Sequence, residues 1–303
     1  MFPVVRVDSR RAEALEPLGT KRKFWYFDGE QRFLFKAEER GTGEDWAEKI
    51  ACELCRLLGL PHVHYELAHE DNASLPGVVC ASCAPRPLAL ILGNQMMLQR
   101  DPAYPAGEGN RYKVRAHTVD AVAEVLRALA MPPAPWLERA PDGLSSALDV
   151  FVGYVMLDTW IANQDRHHEN WGALRDGEQL WLAPTFDHGA SMARNLSDDE
   201  RHERMTTHDT QRQIGAFARR ARSAFYESSA AVRPLTTVEA WHAFTELAPA
   251  ASQRWLGRLA GIDGGIVEHL LLQVPPSRMS TVCRDFTGNL LRENQTRLLK
   301  GEK

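Results

Sequence analysis

A long apolar run that leads directly into a cluster of polar residues constrains the fold of this chain more than any other feature. Residues 144–163, LSSALDVFVGYVMLDTWIAN, repeat apolar side chains at helical spacing, and the polar cluster NQDRHHEN occupies residues 163–170. Two short strand-like runs follow within residues 171–189, separated by an Asp-Gly turn signal. The sequence therefore predicts an amphipathic helix, a polar loop and a hairpin, in that order.

The residues ahead of this unit predict a small sheet with one helix. Two aromatic-rich runs within residues 22–38 flank another Asp-Gly pair, a frequent turn between antiparallel strands. Acidic residues open a helix over residues 44–58, and the sequence Gly-Leu-Pro ends it. The segments HVHYELAH and PGVVCAS supply further strands. We therefore expect about the first 85 residues to form this sheet and its helix.

The order of these elements predicts an α+β protein with two lobes. Residues 86–110 change from apolar to Pro- and Gly-rich, which indicates a connector. Helical periodicity dominates afterwards, in HTVDAVAEVLRALA, SAFYESSAAV, VEAWHAFTEL and SRMSTVCRDFTGNLLRENQTRLLK. We expect a small β-rich amino-terminal lobe over residues 1–90 and a larger, mostly helical carboxy-terminal lobe over residues 91–303. A ligand would bind in the cleft between them.

Length and charge limit the classes of function. With 303 residues the chain can form two lobes, because a single core rarely grows beyond about 250–300 residues. A net charge of -4 argues against a protein dedicated to nucleic-acid binding. The amino terminus has no apolar stretch of signal-peptide length, and no segment approaches the roughly 18 apolar residues of a membrane span. We expect a cytoplasmic protein without a membrane span and without direct nucleic-acid binding.

Four of the five cysteines form two C-x-x-C pairs, a pattern that raises the question of structural zinc. The 24 residues between the pairs exceed the roughly 15–20 of the common zinc-ribbon spacing. Cys52 and Cys55 belong to the predicted helix, whereas Cys80 and Cys83 belong to a predicted strand, in which their side chains diverge. We therefore favour buried free cysteines, which behave as small apolar side chains.

Three residues of the polar unit have the spacing that phosphoryl transfer in kinases requires. Asp165 and Asn170 are five positions apart, and Asp187 follows 17 residues later at the end of the hairpin. In kinases one aspartate orients the attacking hydroxyl, while an asparagine and a second aspartate bind Mg²⁺. Helix capping is the competing interpretation for Asp and Asn at a helix end. We favour the kinase interpretation, because capping does not account for the matching position of Asp187.

The histidines of this unit suggest a zinc hydrolase as another alternative. His167 and His168 are adjacent on the loop, and His188 follows the hairpin. Adjacent side chains on one loop point in different directions, and the sequence lacks the H-E-x-x-H spacing of such enzymes. Zinc is therefore the weaker interpretation of the histidines.

The polar unit also carries a family resemblance. IANQDRHHENWG, followed by LAPTFDHGAS, closely resembles the catalytic loop and metal-binding segment of the HipA-like kinases. This family is an atypical branch of the protein-kinase fold with kinship to phosphatidylinositol kinases. RFLFKAEERG, WAEKIACELCRLLGL and GNQMM extend the resemblance over roughly residues 15–195. It implies a bilobal, protein-kinase-like fold that uses ATP and Mg²⁺.

The resemblance implies that the carboxy-terminal lobe supplies the catalytic base and the metal ligands. Asp165 corresponds to the base, and Asn170 and Asp187 correspond to the Mg²⁺ ligands. His167 is expected to pack behind the loop and to support Asp165. Arg166 is expected to be a surface residue or a phosphate contact, and a catalytic role for it is not favoured.

The amino-terminal lobe would hold the phosphates of ATP through a lysine. Lys36 resembles the lysine that pairs with the α and β phosphates, and Glu48 resembles its partner, because an ion pair holds the long lysine side chain extended. Glu53 competes for the partner's role. We favour Glu48, because it lies eleven residues before the glycine that ends the helix, as in the family pattern.

Further nucleotide contacts are expected from two loops. Backbone amides of LGTKRK would cover the phosphates, with Gly19 permitting close approach and Lys21 or Lys23 adding positive charge. The segment CASCAPRP, which includes Cys83, would present backbone groups to adenine.

The resemblance as a whole implies an ATP- and Mg²⁺-dependent kinase that phosphorylates Ser or Thr of a protein substrate. A lipid or small-molecule kinase on the same fold and a nucleotide-binding pseudokinase are the alternatives. The family also suggests a regulatory, antitoxin-like partner. Residues 11–19 contain no Ser or Thr, so the self-phosphorylation ahead of Lys36 that some members use is not expected. Because Lys36 comes so early, the extra amino-terminal subdomain of full-length HipA is not expected either.

Overall fold

A computed structural model describes residues 1–15, 22–39, 41–107 and 113–302. The amino-terminal lobe is a sheet with one helix. Its elements are β1 (Val4–Val7), β2 (Ala12–Leu15), β3 (Lys23–Asp28), β4 (Gln31–Ala37), α1 (Glu44–Leu58), β5 (Tyr65–Glu70) and β6 (Leu75–Ala81). Over the described residues, these six strands lie in the order β1-β5-β6-β4-β3-β2, and every neighbouring pair is antiparallel except β1 with β5.

The remaining elements form the carboxy-terminal lobe. They are β7 (Ala89–Leu92), α2 (Gly93–Arg100), α3 (Val119–Arg127), α4 (Ala134–Leu137), α5 (Ala147–Trp160), β8 (Gly172–Asp176), β9 (Gln179–Leu182), α6 (Asp198–Thr206), α7 (Ile214–Arg219), α8 (Thr237–Leu247), α9 (Pro249–Ala260), α10 (Gly264–Leu272) and α11 (Thr281–Lys300). A β-rich lobe followed by a mostly helical one confirms the predicted α+β fold class. The boundary between residues 90 and 91 stays a prediction.

Local signals account for the first hairpin and for the end of α1. Gly29, with a φ of 60°, permits the turn between β3 and β4. Across these two strands Phe24 lies opposite Phe35. α1 ends at Gly59, which has a φ of 76°. A Cβ at Gly59 would lie 2.0 Å from the Arg139 carbonyl oxygen, so no other residue fits without movement. The predicted hairpin and helix are both confirmed.

The connector expected at residues 86–110 contains a strand and a helix in its middle part. β7 pairs with β8 and places Ile91 opposite Ala173, and α2 begins directly after β7. Gly93 allows the start of α2 to lie close to Trp171, because a Cβ at this position would be 2.4 Å from the Trp171 side chain. The run ALIL therefore adds a strand to the predicted hairpin of β8 and β9. The strand was not predicted, because the Pro- and Gly-rich residues on either side of this run are typical of a connector.

The helix expected for SAFYESSAAV is wrong. The Tyr226 N–H donates to the His117 carbonyl over 3.1 Å, so the backbone of this segment bonds to a distant loop. The Ser223 hydroxyl accepts from the Phe225 N–H over 3.1 Å, a local bond that competes with helical hydrogen bonding. The segment is consequently irregular.

α5 is the helix that was expected to be amphipathic, and it is buried on nearly all sides. Each of its residues is buried except Asp149, which closes a capping box with Ser146. The helix packs against α3, α8, α9 and α11, so no face is left for solvent. None of the helices in the described ranges has both the length and the apolar character that a membrane span needs.

Candidate active site

Lys36 of β4 and Glu48 of α1 form an ion pair between the sheet and the helix. The Lys36 Nζ lies 3.2 Å from Glu48 Oε1 and 3.4 Å from the Tyr65 hydroxyl. The lysine side chain is 12% exposed and the glutamate side chain is 3% exposed. The pair is therefore shielded from bulk water, and its geometry is more rigid than that of a surface ion pair.

Glu53, the competing residue, has other partners. Its carboxylate lies 2.8 Å from Lys49 Nζ and 2.8 Å from Arg56 Nε, both on α1. The structure thus brings Glu48 to Lys36 and directs Glu53 elsewhere.

The segment after β9 brings Asp187 to the same lysine. Asp187 Oδ1 lies 2.9 Å from Lys36 Nζ. Asp187 has a φ of 61°, a left-handed conformation that aspartate adopts more readily than most residues. The next N–H, of His188, donates to Glu48 Oε2 over 2.8 Å. Glu48 therefore holds both the lysine and the backbone beside Asp187.

The His188 ring supports this turn as a neutral group. Its Nε2 lies 2.8 Å from the Thr185 hydroxyl. Burial lowers the pKa of His188 well below its usual value, so the ring carries no charge at neutral pH. Its Nδ1, 4.0 Å from Glu48 Oε2, accordingly makes no ion pair.

The three charged side chains shift one another's pKa. Burial would lower the pKa of Lys36, but Asp187, with smaller effects from Tyr65 and Glu48, raises it well above its usual value. Burial would raise the pKa of Asp187, yet the charge of Lys36 holds it well below its usual range. Burial raises the pKa of Glu48, and Lys36 opposes this only in part. At neutral pH a protonated Lys36 therefore faces an ionised Asp187.

The loop after α5 places Asp165 and Asn170 together. The Asn170 amide Nδ2 donates to the Asp165 carbonyl over 2.6 Å, and the Asp165 N–H donates to Asn163 Oδ1 over 3.1 Å. His167 Nδ1 accepts from the Glu169 N–H over 3.1 Å, which leaves the ring proton on Nε2. That Nε2 lies 3.6 Å from Asp165 Oδ1, so His167 stands beside the carboxylate as expected.

Arg166 is neither of the two things expected from the sequence. Its side chain is 1% exposed and forms two 2.8 Å hydrogen bonds to the carboxylate of Asp158 in α5. It also donates to the Asn170 carbonyl over 2.8 Å. Arg166 is therefore a buried residue that ties the loop to α5, because only a guanidinium can satisfy these acceptors at once.

The arrangement of the histidines does not favour a zinc hydrolase. The rings of His167 and His168 stand at 86° to each other, and His168 Nδ1 lies 2.8 Å from the buried Tyr104 hydroxyl. All five cysteines are free thiols. Within the described residues, the one group of cysteine, histidine and acidic side chains that converges as metal ligands lies elsewhere, at Cys52, His62 and His64.

The remaining candidates are the residues that were expected to contact the nucleotide. Lys23 of β3 is opposite Lys36 in the strand register, and its charge helps to lower the pKa of Asp187. Cys83 follows β6 and packs, half-buried, in the apolar cluster that includes Phe186. Gly19 and Lys21 lie outside the described residues. The roles assigned to these residues stay predictions.

Sequence reasoning missed three residues that position this site. Tyr65 contacts Lys36, His188 holds Glu48 through its backbone, and Asp158 anchors Arg166. Asp158 offered a signal, since a carboxylate inside an apolar helix needs a partner. Tyr65 offered none, because its contact with Lys36 depends on how β4 and β5 are arranged in the sheet. His188 offered none, because its contact with Glu48 depends on how the two lobes meet.

Comparisons with known proteins show what the fold resembles. No family model matches the chain, and no curated protein matches it. A solved structure of the proinflammatory kinase CtkA from Helicobacter pylori matches with a TM-score of 0.68 at 17% identity, over 97% of this chain and 96% of that chain. A chain from the Shewanella oneidensis MR-1 toxin–antitoxin complex of HipA, HipB and operator DNA matches with a TM-score of 0.54 at 12% identity, over 94% of this chain and 65% of that chain. The chain has the fold of these proteins, which confirms the predicted resemblance at the level of the fold.

Proposed function

We propose that this protein is an ATP- and Mg²⁺-dependent kinase of the HipA-like type, which transfers the γ-phosphoryl group to a Ser or Thr hydroxyl of a protein. The observation that carries this proposal is the position of the Lys36 ammonium between the carboxylates of Glu48 and Asp187. A kinase uses such a lysine to hold the phosphates of ATP beside an aspartate that binds metal. The fold shared with the kinase CtkA adds support.

The side chains of the cleft suit Mg²⁺ as well as ATP. Asn170 uses Nδ2 as a donor within the loop, so its Oδ1 is the atom that would bind the ion. The Asp187 side chain is 38% exposed and can offer a carboxylate oxygen. Amide and carboxylate oxygens are ligands that Mg²⁺ prefers. When bound, Mg²⁺ would neutralise charge on the phosphates.

The remaining chemistry belongs to the chain's own residues. Lys36 would bind phosphate oxygens, with Glu48 holding its side chain extended. Asp165 would orient the acceptor hydroxyl and take its proton while the hydroxyl oxygen bonds to the γ-phosphorus. The bond from that phosphorus to the β–γ bridging oxygen breaks, and ADP leaves with its electron pair. His167 would keep the Asp165 carboxylate in place, from 3.6 Å away.

A protein acceptor is favoured over a lipid, because a net charge of -4 does not assist binding to an anionic membrane surface. HipA was solved in complex with HipB, and by analogy we also propose a regulatory protein partner for this chain. Co-purification of a protein encoded beside this one would test that part.

The test of the proposed function is phosphate transfer from labelled ATP. The protein is incubated with γ-labelled ATP and Mg²⁺, alongside Asp187→Asn, and the label is traced in protein, lipid and small-molecule fractions. We expect label on Ser or Thr residues with the wild type and none with the variant. Label confined to lipid or a small molecule would overturn the protein-kinase assignment, and nucleotide binding without any transfer would indicate a pseudokinase.

A further inference from the structure

A second group of side chains converges outside the residues assigned to the kinase site. Cys52 of α1 and two histidines from the segment between α1 and β5, His62 and His64, each direct one ligand atom into the group, and all three atoms lie within 4.8 Å of one another. Cys52 Sγ lies 3.6 Å from His64 Nδ1. The Tyr65 N–H donates to the same sulfur over 3.4 Å, a bond that stabilises a thiolate.

Both histidines are oriented by a hydrogen bond on one side of the ring. His62 Nδ1 lies 2.7 Å from the Leu60 carbonyl oxygen, so this nitrogen carries the proton and Nε2 keeps the lone pair. His64 Nε2 lies 2.7 Å from Glu66 Oε1, which directs its Nδ1 lone pair toward Cys52. A carbonyl and a carboxylate are the usual partners that orient metal-binding histidines.

We propose that Cys52, His62 and His64 bind Zn²⁺, with water as the fourth ligand. A thiolate and two imidazoles are a ligand set that suits Zn²⁺ and does not suit Mg²⁺. The His64 side chain is 58% exposed, so water and the ion can reach the site. This site is separate from the residues proposed to hold Mg²⁺ and does not depend on the kinase assignment.

The surrounding charges permit a cation at this position. The Lys49 side chain is a positive charge that acts on Cys52, and its Nζ lies 2.8 Å from Glu53 and 2.9 Å from Glu66. Arg56 lies 2.8 Å from Glu53. Two carboxylates therefore neutralise the two cations, and the charge of Zn²⁺ is left to be balanced by the Cys52 thiolate.

Zinc binding would replace a proton on sulfur. Burial raises the pKa of the Cys52 thiol to about 12, so without metal the sulfur is protonated. As the Zn–S bond forms, that proton passes to solvent, and both imidazoles bind in their neutral form. Burial also lowers the pKa of His62, which favours its neutral form.

The bound ion would cross-link two parts of the lobe beside the kinase site. Cys52 lies one helical turn after Glu48 on α1. His62 forms a parallel bridge with Thr185, and the Val63 N–H donates to the Thr185 carbonyl over 2.9 Å. If Cys52 and His62 bind the same ion, that ion would link α1 to the segment of His62, which contacts Thr185 just before Asp187.

The experiment is a metal titration of the full chain after removal of metals with a chelator. Zn²⁺ binding is measured by competition with a coloured chelator, and Co²⁺ serves as a spectroscopic probe. We expect one equivalent of Zn²⁺ and, with Co²⁺, the near-ultraviolet charge-transfer band of a cobalt–thiolate bond. Bound Zn²⁺ should also raise the Tm, because a ligand specific to the folded state stabilises it.

Variants assign the ligands. His64→Gln changes an exposed side chain, and it should weaken Zn²⁺ binding by at least about 100-fold, while Cys52→Ser should abolish the cobalt–thiolate band. His208→Gln, at another exposed histidine, and Cys83→Ser are the matched controls and should bind like the wild type. The proposal is overturned if the wild type binds no stoichiometric Zn²⁺, if Co²⁺ gives no thiolate band, or if His64→Gln binds as tightly as the wild type.

Discussion

The Lys36 ammonium lies 2.9 Å from the Asp187 carboxylate although 151 residues separate the two in the chain. β4 carries the lysine, and the turn after β9 carries the aspartate. Glu48 contacts both segments: it accepts a hydrogen bond from the Lys36 side chain and another from the backbone N–H of His188, the residue after Asp187. The contact therefore links the two lobes at the position where a kinase would hold the phosphates and the metal.

Glu48 and Glu53 provide a matched pair of variants. Glu48→Gln removes the charge that holds Lys36, and we expect kcat/KM for phosphate transfer to fall by about 10²-fold or more. Glu53→Gln weakens only the contacts to Lys49 and Arg56 and should change kcat/KM less than about threefold. Steady-state kinetics on both variants decides the assignment. Equal losses in the two would contradict the choice of Glu48.

Asn170 should control the dependence on Mg²⁺. Asn170→Ala removes the proposed ligand oxygen along with the hydrogen bond to Asp165. We expect the Mg²⁺ concentration for half-maximal activity to rise by about tenfold or more, since one oxygen ligand is lost. Asn195→Ala, at an exposed position, is the control. An unchanged Mg²⁺ requirement in Asn170→Ala would remove this residue from the metal site.

Much of the fold could be predicted from local patterns. The Asp-Gly pairs gave the turns of both predicted hairpins, and the glycine at 59 gave the end of α1. β7 was missed because its pairing depends on β8, which is about 80 residues away in the chain. The burial of α5 was missed because its polar ends resemble those of a surface helix.

The residues of the site also fall into two groups: some could be predicted from local sequence patterns, and others depend on distant contacts. Asp165, Asn170 and Asp187 were recognisable because their spacing is short and tied to chemistry. The contact of Asp187 with Lys36 was not predicted, since no local pattern reports a pairing across the lobes. Arg166 looked like a surface residue in a polar run, and the signal of its burial was Asp158, a carboxylate inside an apolar helix that needs a partner.

Packing around α5 predicts opposite effects for two glycine substitutions. Ala in place of Gly normally stabilises a helix by about 1 kcal/mol. At Gly153 the new Cβ would lie 2.5 Å from the Trp255 ring and 2.7 Å from Leu60, so strain should prevail and Gly153→Ala should destabilise by about 1–3 kcal/mol. At Gly257 a Cβ meets nothing within 4 Å, and Gly257→Ala should be stabilising. Urea unfolding of both variants tests the pair, and a stabilising Gly153→Ala would contradict the packing.

His117 predicts how stability depends on pH. Burial lowers its pKa from 6.5 to about 3, while its ring accepts from the Trp171 indole over 3.2 Å. Between these pH values the unfolded chain binds a proton that the folded chain does not, so stability falls as pH falls. This single residue should lower the free energy of unfolding by about 1.2 kcal/mol between pH 6 and pH 5.

The variant His117→Gln tests this dependence. It should be less stable than the wild type at pH 7, because it disturbs a buried contact, but its stability should fall less steeply with acidification. Urea unfolding at pH 7, 6 and 5 gives the slope, and His208→Gln, at an exposed site, should keep the slope of the wild type. A variant slope as steep as that of the wild type would show that His117 does not cause the dependence.

The most direct test of the central claim is the rate of γ-phosphoryl transfer in Asp165→Asn, with Mg²⁺–ATP binding measured on the same preparation. Asp209→Asn, at an exposed position, is the control. We predict that the wild type and the control transfer phosphate at similar rates. Asp165→Asn should bind nucleotide normally and transfer at least about 10²-fold more slowly, because it lacks the base that accepts the hydroxyl proton. Transfer by Asp165→Asn at the wild-type rate, or no transfer by the wild type, would contradict the account.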